Sequence, residues 1–106
     1  MSAGIIDGNC GAIFMATLVI NPASVATITT AEQTFTFPGV RLDDVVIAVV
    51  KPTNTAGVGI VNVRVSAADT IAITFVNPTA GSVDAASETY KLVFMRPDSD
   101  LVGGLP

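Results

Sequence analysis

Thr70-Ile71-Ala72-Ile73-Thr74-Phe75-Val76 is the stretch that decides the fold class. Large apolar side chains sit at 71, 73 and 75, and small or polar ones at 70, 72 and 74. That period of two is the signature of a half-buried strand. Just before it, Val58 to Ser66 places Val61, Val63 and Val65 on one face and Asn62 and Arg64 on the other. Only Ala67-Ala68-Asp69 separates the two runs, so they are expected to form a hairpin.

The pattern extends in both directions. Glu88 to Arg96 puts Tyr90, Leu92 and Phe94 on one face and Lys91, Val93 and Met95 on the other. Gln33 to Phe37 alternates, ends at Pro38-Gly39, and carries Phe35 and Phe37 on one side. Ala12 to Ile20 reads as a first strand that is apolar on both faces, stopped by Asn21-Pro22. Ser24 to Thr30 reads as a second, followed by a turn at Ala31-Glu32. Asp44 to Lys51 is the most apolar strand, and its unbroken run from Val45 to Val50 implies that both faces are covered. Asn77 to Ser87 is the long loop. Val, Ile and Thr make up about a third of the chain, and no window keeps a helical period. The expectation is an all-β fold: one antiparallel β-sandwich of about seven strands, immunoglobulin-like or jelly-roll-like, spanning 12–97. A Gly-rich N-terminal arm, 1–11, and a C-terminal tail, 98–106, flank it.

Composition narrows the function. The 106 residues are 50% hydrophobic but only 13% charged, and the net charge is −4. A folded monomer of this size exposes roughly 5,500 Å², so each charge serves roughly 400 Å². Large uncharged patches are therefore expected, and such patches mark contact sites. A net negative chain with few cations repels phosphate, which argues against nucleic-acid binding. No stretch approaches the length of a membrane span, and none is expected. Ala12 to Ile20 followed by Pro22-Ala23-Ser24-Val25-Ala26 loosely imitates a secretory leader. However, no Lys or Arg precedes Arg41, and Asp7 stands where positive charge belongs.

Chemistry is sparse. There is no His, and the single Cys10 can form no internal disulfide. Asp43-Asp44 is the one adjacent carboxylate pair, and it reads as a turn that binds local backbone N–H groups. Asp98-Ser99-Asp100 has the spacing of metal ligands but lies in the tail. Gly57-Val58-Gly59 precedes a strand rather than a helix, so it is no dinucleotide fingerprint. Lys51 and Lys91 read as solvated or interface charges. No catalytic residue, cofactor or metal site is expected, and the chain reads as a non-enzyme.

What remains is contact. The first strand and the Asp44–Lys51 strand hold more apolar surface than one small core can use. The arms carry apolar anchors on flexible backbone. The partner-contact residues expected are Ile5, Ile6, Val46, Val50, Leu101, Val102 and Leu105.

A set of phrases goes beyond composition. These are Asn21-Pro22, Glu32-Gln33-Thr34-Phe35-Thr36-Phe37-Pro38-Gly39-Val40, Asp44-Val45-Val46 and Gly59-Ile60. Arg64-Val65-Ser66-Ala67-Ala68-Asp69-Thr70, Ile73-Thr74-Phe75-Val76-Asn77-Pro78-Thr79 and Glu88-Thr89-Tyr90 complete it. Across roughly residues 20 to 97 the layout resembles the small β-sandwich cement or decoration proteins of tailed bacteriophages. The resemblance implies a structural virion protein made in the host cytoplasm and placed on the capsid exterior. Its partners would be the major capsid protein and itself, often as a homotrimer, and its work would be capsid stabilisation. The alternative is a virion appendage module: a head fibre, a tail decoration or a receptor-binding base.

Overall fold

The computed structural model describes residues 10–97. The expected arms therefore lie almost wholly outside the described residues, as do Asp98-Ser99-Asp100, Ile5, Ile6, Leu101, Val102 and Leu105. Six strands run in order: β1 (Cys10–Ile20), β2 (Thr29–Thr36), β3 (Val45–Val50), β4 (Gly59–Ala67), β5 (Thr70–Asn77) and β6 (Glu88–Pro97). The described residues contain no helix. The strands form two antiparallel three-stranded sheets, β1-β6-β3 and β2-β5-β4.

The central strands carry the core. Ile71, Ile73 and Phe75 of β5 and Tyr90, Leu92 and Phe94 of β6 are fully buried, as their alternation predicts. Ile20, Val25, Phe37, Val40 and Val65 join them in one cluster drawing on both sheets. Phe94 stacks on Phe14 at 5.2 Å and meets Phe37 edge-on at 5.4 Å. Aromatic contacts of this kind add about 0.5–1.5 kcal/mol beyond area burial.

The β4–β5 hairpin forms with Ala67 opposite Thr70. Asp69 takes the left-handed conformation, φ 59°, which its short polar side chain tolerates. Its backbone accepts from Phe37 N–H at 2.8 Å and donates to Val40 C=O at 3.0 Å. Its carboxylate accepts from Gly39 N–H at 2.7 Å. The hairpin tip thus pins the Pro38-Gly39 turn.

Four expectations are corrected. The described residues hold six strands rather than about seven. Ser24 to Thr30 is not a strand of its own: Val25 makes only an isolated bridge to Val83, Thr27-Ile28 is a turn, and Thr29-Thr30 opens β2. No turn occurs at Ala31-Glu32, because pairing with Phe75 and Thr74 of β5 carries β2 straight through. Val61 does not share the inward face of Val63 and Val65. A bulge between Ile60 and Asn62 turns it out, 60% exposed.

Candidate functional site

The two sheets turn opposite kinds of surface to water. On the outer face of β2-β5-β4, the registered rows are Glu32–Thr74–Asn62, Thr34–Ala72–Arg64 and Thr36–Thr70–Ala67. This face is threonine-rich and closed by charge. Arg64 spans β5 to reach Glu32 with two hydrogen bonds of 2.9 Å. The bond from Arg64 holds the Glu32 carboxyl below its ordinary range. In an exposed setting such a pair contributes little, so its main effect is to keep the face polar.

The outer face of β1-β6-β3 is apolar. Its rows are Ile13–Met95–Val45, Met15–Val93–Ala48 and Thr17–Lys91–Val50, with Val19 opposite Thr89. Met15 is 68% exposed and Val19 67%, while Ile47 and Val50 are each 50%. Lys91 is the one charge in these rows. Fully burying a Val, Ile or Met side chain is worth about 1.5–3 kcal/mol, so the uncovered row of them is a large unused driving force.

The sequence expectation of a β3 covered on both faces is corrected here. β3 is an edge strand with a bulge between Val46 and Ala48. The extra residue changes the parity of the strand. Val46 and Val49 pack against the core, whereas Val45, Ile47 and Val50 face out. Of the two expected contact residues on β3, Val50 lies on the exposed face and Val46 on the core side. Sequence reasoning missed Ile13, Met15, Val19, Val45, Ile47 and Met95. The signal was the doubly apolar first strand, which called for an outer partner without saying which parity faced it.

Charged groups tie the ends of the sheets. Asp44, 6% exposed, receives Arg96 Nε at 2.8 Å, Arg96 Nη2 at 2.7 Å and the Arg41 backbone N–H at 2.9 Å. Chiefly the Arg96 hydrogen bonds, against the opposing effect of burial, hold its carboxyl below the ordinary range. Arg96 also donates to Gly39 C=O and lies 5.2 Å over the Phe14 ring. The expected local N–H contact of the Asp43-Asp44 turn is present, but the long-range partner is the larger feature. At the other end, Lys51 pairs with Glu88 at 2.6 Å and donates to Thr53 C=O and the Thr55 hydroxyl. Lys51 is thus a loop tie rather than a solvated charge.

A cleft of about 550 Å³ lies between Val49, Lys51, Thr53, Thr55, Ile60 and Phe75. The Lys51 ammonium, its one charged group, is already occupied by Glu88, Thr53 and Thr55. Convergent free polar groups, the mark of a small-ligand site, are not assembled there. Among the described residues no cluster of three or more His, Cys, Asp or Glu could hold a metal ion. Comparison with protein-family models, with curated proteins and with solved structures finds no match for this chain.

Proposed function

We propose that this chain is a structural virion protein, a cement or decoration protein that stacks its two sheets as a single sandwich and binds the outside of a bacteriophage capsid. The observation that carries this reading is the outer face of β1-β6-β3: apolar, exposed and set opposite a polar, ion-paired face. A protein with one such face is built to sit on something. On the phrase-level resemblance to phage cement proteins, that surface would be the lattice of major capsid protein. Binding there adds interface energy only to the assembled shell, which stabilises it by mass action. The threonine-rich face would then point to solvent.

The test is co-sedimentation with expanded heads built from the major capsid protein of the same genome. The wild-type protein is expected to saturate the heads and raise their resistance to heat. Met15→Glu with Val19→Glu is expected to bind at least tenfold more weakly while keeping its fold. Heads that neither bind the protein nor gain heat resistance would overturn the reading.

A further inference from the structure

β6 is the middle strand of the apolar sheet, and Lys91 stands exposed on its outer side. Thr17 of β1 and Val50 of β3 flank it in the same row. The row Met15–Val93–Ala48 lies to one side, and Val19 with Thr89 to the other. Lys91 is therefore inside the face rather than at its rim. None of these rows contains an Asp or a Glu.

The other cations of the described residues are engaged. Lys51 pairs with Glu88, Arg64 with Glu32 and Arg96 with Asp44. Arg41 acts on Asp44 through its charge. Among the described residues Lys91 has no carboxylate partner. Guarding an edge does not explain it either. Charges that blunt strand pairing belong on edge strands. Here the edge strands of this sheet, β1 and β3, carry no charge, and the lysine sits on the central one.

Covering this face takes the ammonium out of water together with its apolar neighbours. An ammonium desolvated without a counter-ion opposes docking, whereas one met by a carboxylate is compensated. The rows supply no carboxylate, so the covering surface has to. A flat apolar face is also blind to position. Its side chains repeat every two residues, about 7 Å along the strands, so a seating shifted by one repeat keeps most apolar contacts. A single fixed cation removes that degeneracy, because only one seating brings the opposite charges together.

We infer that Lys91 sets the register of docking on this face, and that the surface covering it is apolar with one Asp or Glu carboxylate placed opposite Lys91. The inference rests on the reading of this face as the capsid-binding surface, and it states the chemistry of the partner there. Apolar side chains supply the adhesion, and the Lys91 pair selects the seating.

The test uses the full-length chain and expanded heads built from the major capsid protein of the same genome. Lys91→Met keeps an unbranched stem and removes the charge. A purely apolar partner surface would bind this variant more tightly than wild type. A surface with the facing carboxylate is instead left with an unpaired buried charge, and binding is expected to weaken about tenfold. Lys91→Glu is expected to bind more weakly still, and Lys91→Arg within about threefold of wild type. Circular dichroism is expected to be unchanged in all three, since position 91 is exposed. Carbodiimide coupling condenses an amine with a carboxylate it touches, with loss of water. It is expected to join Lys91 to an Asp or Glu of the capsid protein, and the Lys91→Arg protein to lack that linkage. A Lys91→Met protein that binds as tightly as wild type or more tightly, or coupling that spares Lys91, would overturn the inference and leave the capsid reading standing. Wild-type protein that does not bind the heads would overturn the capsid reading, and this inference with it.

Discussion

Asp44 and Arg96 lie 52 residues apart in the sequence and meet in a two-pronged ion pair, with bonds of 2.8 and 2.7 Å. The pair joins the turn entering β3 to the end of β6, and the same guanidinium reaches Gly39 C=O at 3.0 Å. One residue therefore connects the β2–β3 connection, the start of β3 and the end of β6.

Removing the carboxylate leaves the Arg41 N–H without its acceptor and Arg96 with only Gly39 C=O. Asp44→Ala is expected to cost about 2–3 kcal/mol, less than a fully buried pair because Arg96 keeps part of its surface in water. Urea unfolding measures it; a loss under about 0.5 kcal/mol would show that water replaces the pair. The pH dependence has a definite sign. The folded carboxyl is held below its ordinary value, so its stabilisation is complete above about pH 4 and is lost as pH falls further. Asp44→Ala should therefore flatten the acid limb of the stability curve.

Tyr90 is the sole tyrosine, and its hydroxyl is buried with no hydrogen-bond partner. Burial, with help from the Glu88 charge, pushes its pKa from 10.0 to about 12. The unfolded chain releases this proton first, so stability is expected to decline as pH rises from about 10 towards 12. Tyrosinate absorbance checks it. A native-state titration at the ordinary value would mean that the hydroxyl reaches water.

Asn77 is buried and uses all of its side-chain capacity. Its amide donates to Val25 C=O at 2.9 Å and Gly81 C=O at 2.8 Å. Its oxygen accepts from Thr79 N–H at 2.9 Å and the Thr79 hydroxyl at 2.6 Å. Asn77→Asp keeps the shape but replaces two donors with a charge facing two carbonyls. The expected cost is about 3 kcal/mol or more at neutral pH. Thermal melts at pH 7 and pH 3 should show the defect shrinking in acid, as the carboxyl regains one donor. An equal defect at both would refute this account.

Ile28 holds a left-handed backbone, φ 49°, while 76% exposed. A β-branched residue is strained there and gains little from burial. Ile28→Asn is expected to raise stability by about 1 kcal/mol, since Asn tolerates this conformation. Chemical denaturation reads the sign directly, and a destabilised variant would locate an unseen packing role for the side chain.

The strands with one polar face were legible because their alternation states which side is buried. β5 and β6 match the expected strands, and their inward residues form the core. Where two signals competed, local reading failed. Ala31-Glu32 resembles a turn, yet register with Phe75 and Thr74 holds it in β2. Val46 and Val50 look alike in an unbroken apolar run, and only the bulge between Val46 and Ala48 separates their faces. A bulge changes parity without leaving a mark in composition. The Asp44–Arg96 and Lys51–Glu88 pairs were invisible for a different reason: each joins residues that only the sheet order brings together. The apolar excess was legible as an amount and as a property of β1 and β3, and the fold assigned it a face.

Cys10 lies opposite Pro97 across the β1–β6 pair. The described chain thus enters and leaves the fold at neighbouring points, a few ångströms apart across one strand spacing. A short linker from residue 97 to residue 10 would therefore close the described residues into a ring with both sheets intact.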